Sequence, residues 1–181
     1  MITLGQENAP STIPVVPALT ALSATVTLGL SGSIAGFFYA YACSVMFGLE
    51  AIDPRHAVAA MQGINATVRN MAFAPAFFGT PVMALVTALL FACLGRRAAS
   101  WIMAGAALVY VAGAFLPTLF INVPMNEALA RVTVPESLPE AARLWAEYAG
   151  PWTRWNTLRT VFSLLALLLV GLALFVARAR G

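Results

Sequence analysis

Four stretches of the chain contain no charged residue: 8–49, 70–95, 98–126 and 160–177. Bilayer hydrocarbon is about 30 Å thick, so a spanning helix needs roughly 20 apolar residues. Three of the runs exceed that length, and the fourth approaches it with VFSLLALLLVGLALFVA at 161–177. In lipid every backbone polar group needs an internal partner, so runs of this length must be helical. The ten-residue alternating segments of a membrane β-barrel are missing. The pattern predicts an all-α fold, an integral membrane four-helix bundle with spans at about 25–49, 74–94, 98–120 and 157–177.

The polar stretches between spans also have structure. Asp53-Pro54 combines a helix N-cap with proline at the first helical position, predicting a short helix to about Met71. Pro75 and Pro81 should kink or interrupt the entry to the second span. Ser137-Leu138-Pro139-Glu140 fits a capping box opening a helix to about Tyr148, which Gly150-Pro151 should end before a new helix enters the last span. The first 17 residues, with three prolines, read as a flexible lead-in without the cationic start of a signal peptide. All 181 residues are expected to form one membrane domain.

Composition agrees: 61% of residues are hydrophobic and 9% charged, with mean hydropathy +0.85, where a soluble domain carries about 25% charged residues. All ten cations are arginines, scattered singly or in one pair near span ends, which argues against a nucleic-acid surface. Arg96-Arg97 in the hairpin and Arg178 and Arg180 at the C-terminus predict cytoplasmic termini, although the two outer segments hold six arginines against these four. Cys43 and Cys93 fall in different spans near opposite membrane faces and are expected to be free thiols. Gly32, Gly36, Ala40, Ser44 and Gly48 recur every four residues, a stripe that lets another helix approach closely or clears space for a ligand.

Candidate chemistry gathers in the outer segments. Gln62, Asn65 and Arg69 share one helical face, as do Trp152, Trp155, Asn156 and Arg159. With Asn122 and Asn126, two such faces could converge on an amphipathic pocket. The alternatives are interfacial anchoring for the tryptophans and polar glue between helices for the amides. Arg159 lies inside the mouth of the last span, where a lone cation is costly, and should turn into the bundle to meet amides or a carboxylate such as Glu50. His56, the single histidine, is the best-suited general base, its alternative being an exposed residue at a helix start. A metal held by His56, Glu50 and Asp53 is not favoured, because metal sites normally recruit more nitrogen or sulfur ligands. Neither a phosphate-binding loop nor a nucleophile elbow is present, and no acid sits in mid-span as a proton-coupled exporter requires.

Three segments in order carry a resemblance: GFFYAYACSVMFGLEAIDPRHAVAAMQGIN at 36–65, NVPMNEAL at 122–129 and WTRWNTLRT at 152–160. They resemble the anthrone-oxygenase-like membrane proteins, whose members studied in fungal polyketide pathways oxidise anthrones to anthraquinones with molecular oxygen, without metal or flavin. Most bacterial-looking members, which this chain resembles, have no assigned substrate. The resemblance implies a cofactor-independent oxygenase acting on a lipophilic aromatic molecule, with dioxygen as co-substrate. It points to Gln62, Asn65, Asn122, Asn126, Trp152, Trp155, Asn156 and Arg159 as site residues; on physical grounds Arg159 and Asn156 would be the oxyanion donors and Trp152 or Trp155 the stacking wall. His56 as base is an expectation from its chemistry alone. The rival reading is a non-enzymatic membrane protein that binds a lipid or quinone or supports a partner. The expected partners are the bilayer and a lipophilic small molecule, and a homo-oligomer remains open. The expected setting is a bacterial inner membrane.

Overall fold

The structure is a computed structural model describing residues 15–179. Most of the lead-in expected over residues 1–17, and Arg180, lie outside the described residues; from Val15 onward the chain is helical. Four long apolar helices build the bundle: α1 (Val15–Glu50), α3 (Phe73–Cys93), α4 (Arg97–Ala130) and α5 (Leu138–Ala179). The short α2 (Pro54–Thr67) lies between α1 and α3. Each long helix packs on its two neighbours in the ring α1–α3–α4–α5, so this is an integral-membrane-type all-α bundle, and no strand occurs among the described residues.

Length differences shape the molecule. At 1.5 Å per residue, α3 is about 30 Å long, while α1, α4 and α5 run to roughly 50–60 Å. The longer helices therefore project past the start of α3 at one end, where α2 covers them. That head has its own core of Tyr41, Met46, Leu49, Val58, Met61, Leu129, Trp145, Tyr148 and Trp152. At the opposite end α3 stops in a Schellman turn: Arg96 N–H donates to Phe91 O, Gly95 N–H donates to Ala92 O, both at 2.9 Å, and Gly95 has φ +72°. A side chain is strained at that φ, so glycine belongs there. The Arg96 guanidinium then donates to the Ala177 carbonyl, clamping the hairpin to the end of α5.

Several boundaries differ from expectation. The third long helix does not stop near 120 but continues to Ala130 through two π-helical turns, Val111–Phe115 and Thr118–Asn122, on either side of Pro117. Pro117 has no N–H to donate, and the wider turns absorb that loss. Likewise α5 runs unbroken through Gly150-Pro151, and α3 runs through Pro81. Burial of their flanks against neighbouring helices outweighs the local breaker signal. At Asp53 the cap forms: its Oδ1 accepts from Arg55 N–H at 2.9 Å with Pro54 at the first helical position.

The small-residue stripe on α1 faces outward. Gly36, Ala40, Ser44 and Gly48 are exposed, and Cβ atoms built on Gly32, Gly36 and Gly48 meet nothing within 4 Å. The expectation that this stripe packs the bundle is therefore wrong. The inward face of α1 instead carries Thr27, Ser31, Ile34 and Phe38, whose side chains fill the interior. Close approach belongs to alanines at the hairpin end: Ala84, Ala88, Ala99, Ala106, Ala107, Ala173 and Ala177. Cys43 and Cys93 are free and exposed.

Candidate functional site

A cavity of about 470 Å³ opens where α3 begins, bounded by all five helices. That volume is within the range of small-molecule sites, about 300–1,000 Å³. Two π-helical turns border it, Tyr41–Val45 in α1 and Thr118–Asn122 in α4. Such turns widen a helix and re-aim its side chains, and they are common at functional sites. Above the cavity the connection from α2 to α3 is tied down by Asn70, whose Oδ1 accepts from Ala72 N–H and Phe73 N–H at 2.9 and 3.1 Å.

Seven aromatic residues form much of the wall. Phe37 and Phe38 come from α1 and Phe73, Phe77 and Phe78 from α3, with Tyr41 and Trp152 closing the head side. Their rings form a continuous chain, Trp152 to Tyr41 at 5.4 Å, Tyr41 to Phe37 at 5.1 Å and Phe37 to Phe73 at 5.0 Å between centroids. Two residues of the wall, Phe78 of α3 and Leu119 of α4, are 52% and 37% exposed, so the cavity also has an apolar edge on the outside of the bundle.

Two cations reach this wall, the exposed Arg69, paired with Glu127, and the buried Arg159. Arg159 is 4% exposed, and its guanidinium carbon sits 4.7 Å from the Phe38 ring centroid and 5.1 Å from that of Trp152. Nη1 donates to Thr118 Oγ1 at 3.2 Å and Nη2 to Asn156 Oδ1 at 3.1 Å. Nε has no partner. The ion pairs among the described residues are Arg55–Asp53, Arg69–Glu127 and Arg143–Glu147, none involving Arg159. Glu50, expected as a partner for it, instead accepts from Trp145 Nε1 at 2.8 Å. A buried cation held only by neutral groups is expensive for folding. It fits a site that receives its counter-charge from a ligand.

A second polar group organises the head side. Asn126 Oδ1 accepts from both Tyr148 Oη–H and Trp152 Nε1–H at 2.8 Å. Asn65 Nδ2 in turn donates to Tyr148 Oη at 3.3 Å. The network fixes the Trp152 ring that flanks Arg159. Of the residues expected at a site, Asn65, Asn126, Trp152 and Arg159 line the cavity. Asn156 lies fully buried behind Arg159, its Nδ2 donating to the Phe38 carbonyl at 3.0 Å, so it positions the guanidinium. Asn122 is buried on the same helix between Thr118 and Asn126, with Oδ1 unpartnered and Nδ2 in a long 3.5 Å contact to the Trp152 carbonyl.

Three expected residues are not at the cavity. Gln62 Nε2 donates to the carbonyls of Leu129 and Val132, both at 2.8 Å, and so latches α2 to the end of α4. Trp155 is 36% exposed on the outside of α5, matching the anchoring alternative. His56 is exposed at the start of α2 and does not line the cavity; one turn into a capped helix, it points away from the packed face of Ala57, Val58 and Met61. Its neighbour Asp53 is held by two side-chain bonds from Arg55, at 3.0 and 2.6 Å, which lower its pKa to about 2. Among the described residues no three of His, Cys, Asp or Glu gather as a metal site would require. The aromatic wall and Tyr148 were missed. For the rings of α1 and α3 the one signal was their density in GFFYAY at 36–41 and FAPAFF at 73–78; Tyr148 had none.

The anthrone oxygenase family description matches residues 69–169, more than half of the chain. The chain belongs to the anthrone oxygenase family. Among curated proteins and among solved structures nothing matches. The family match spans Asn122, Asn126, Trp152, Asn156 and Arg159 as well as the whole of α3, and so includes most of the cavity wall apart from α1 and Asn65.

Proposed function

We propose that the cavity is the active site of a cofactor-independent oxygenase that acts on a lipophilic, enolisable aromatic ketone of the anthrone type. The observation that carries this reading is Arg159, a buried cation without a carboxylate partner, flanked by the Phe38 and Trp152 rings. An anthrone that loses a proton from its ring methylene becomes a planar anion with charge on the former ketone oxygen. Arg159 lines the cavity and can donate to that oxygen, and the aromatic wall can hold the rings. Preorganised donors of this kind act strongly where water is excluded.

The chemistry balances with dioxygen as the sole co-substrate. The anion passes one electron to dioxygen, and the resulting radicals join in a carbon–oxygen bond to give a peroxide. The peroxide takes up a proton. Loss of the remaining carbon-bound proton then breaks the O–O bond, leaving a new carbonyl and water. The methylene carbon is oxidised by four electrons, and dioxygen is reduced to the carbonyl oxygen and one water.

The lateral edge at Phe78 and Leu119 suits entry of a membrane-dissolved substrate. Arg96, Arg97 and Arg178 at the hairpin end support an orientation with that end cytoplasmic and the cavity on the far side, in a bacterial inner membrane. The same edge also favours a second reading, a binding protein for a quinone or lipid. Oxygen uptake by the protein in lipid nanodiscs separates the two. The oxygenase reading predicts anthrone-dependent uptake with one quinone formed per dioxygen, whereas a binding protein takes up none above the uncatalysed rate.

A further inference from the structure

The cavity has a cation for an anion but nothing obvious to make one. Among the described residues its wall carries Arg69 and Arg159 and no carboxylate or imidazole. The titratable groups that act on Arg159 are the hydroxyls of Tyr41 from α1, Tyr110 from α4 and Tyr148 from α5; α3 contributes only Phe73, Ala74, Phe77 and Phe78 to the wall. Two of those hydroxyls are already donating, Tyr110 to the Phe77 carbonyl at 3.0 Å and Tyr148 to Asn126 Oδ1 at 2.8 Å; the third, Tyr41, lines the cavity as a phenol, which keeps its proton near neutral pH and can give a hydrogen bond but not take a proton. Glu127, the nearest acid by connectivity, pairs with Arg69 on the exposed surface at 3.4 Å. A neutral arginine is a poor expectation, since guanidinium stays protonated in proteins.

We infer that the site takes its ligand as a preformed anion: a planar aromatic phenolate or enolate, ionised in the water at the membrane surface before it enters the cavity, with its oxygen on Arg159 and its rings against Trp152 and Phe38. No residue of this chain then serves as the base. The hydroxyl proton passes to solvent hydroxide, giving the oxyanion and water, and the protein selects the ionised form from the mixture. The ligand class follows. It must reach a phenol or enol tautomer that ionises within a few units of neutral pH, which admits fused-ring phenols and ketones that tautomerise to them. Their ethers and non-enolisable ketones are excluded. This inference rests on the cavity being a site for an aromatic oxygen acid, and not on its oxidation.

The test is binding to the full chain in nanodiscs, with 2-naphthol, its methyl ether and a nitronaphthol that ionises below neutral pH as probes. If only the anion binds, the apparent Kd of 2-naphthol falls about tenfold per pH unit until the pH reaches the phenol's own pKa and then levels off. Bound nitronaphthol shows the red-shifted absorption of the naphtholate even at a pH where the free probe is mostly neutral. Arg159→Gln abolishes both effects, while Arg159→Lys, which keeps the charge, retains the pH slope with weaker binding. His56→Ala leaves them unchanged. A Kd independent of pH, equal affinity for the methyl ether, or a neutral-phenol spectrum in the bound state overturns the inference on wild-type protein alone, whatever the variants do. Anion-selective binding without oxygen uptake upholds it while removing the oxygenase reading. Oxygen uptake from a ligand bound in its neutral form does the reverse.

Discussion

Replacing Arg159 by methionine should separate function from folding. The substitution removes two hydrogen bonds from a charged donor, to Thr118 Oγ1 and Asn156 Oδ1, each contributing about 1.5–3 kcal/mol. It also removes a cation that has no carboxylate partner and an unsatisfied Nε, and relief of a buried charge by an apolar side chain of similar length is often worth about 1–4 kcal/mol. Thr118 keeps its own bond to the Ala114 carbonyl at 2.8 Å and Asn156 its bond to Phe38 O at 3.0 Å, so only Asn156 Oδ1 is newly orphaned. At mid-range the losses exceed the gain by about 2 kcal/mol. Melting temperature in detergent should fall by about 4–8 °C, since 1 kcal/mol corresponds to roughly 2–4 °C in a chain of this size. Turnover should fall at least about 100-fold, the loss typical of removing one preorganised oxyanion donor. Thermal scanning beside anthrone-dependent oxygen uptake reads both. A large fall in melting temperature with activity kept within about threefold would make Arg159 a structural residue and refute the reasoning.

Asn126→Ala should destabilise by about 2–5 kcal/mol, because it strands the Tyr148 and Trp152 donors that now share Oδ1; chemical denaturation measures the loss, and Asn126→Asp should recover most of it. Gly113→Ala should lower the melting temperature, since a Cβ there overlaps the Phe162 ring and overpacking costs about 1–3 kcal/mol. Gly36→Leu, on the outward face of α1, should leave it within about 2 °C, in the range of surface substitutions. Asp53, depressed to about 2 by its Arg55 bonds, contributes stability that is complete above the ordinary carboxylate pKa of about 3.9 and disappears as pH falls through about 2. Amide exchange at the start of α2 should therefore accelerate over that acid window, and Asp53→Asn should remove the dependence.

How far these features could be read from sequence depends on what each residue needs. Charge-free length alone implies helices across a membrane, because lipid leaves the backbone no other partner. Asp53-Pro54 starts its helix locally and needs no tertiary help. Arg159 was legible as an inward-facing group because a cation in an apolar span has few places to go. Helix ends were harder: Pro117, Pro124 and Pro151 look like breakers, yet packing carries α4 and α5 through them. The glycine stripe misled because four-residue spacing identifies a helix face without saying what lies opposite. His56 misled for a related reason, since suitability as a base says nothing about position. The aromatic wall was opaque because a phenylalanine facing lipid, core or cavity leaves the same mark in sequence.

The most direct test of an oxygen-using Arg159 cavity is mass spectrometry of the quinone formed from an anthrone-type ketone under oxygen-18 gas by the purified protein in nanodiscs, corrected for the uncatalysed reaction. The account predicts one oxygen-18 atom per quinone, in the newly made carbonyl, at a rate that Arg159→Met abolishes. A carbonyl oxygen drawn instead from water, or labelled quinone formed equally fast by the Arg159→Met protein, would contradict it.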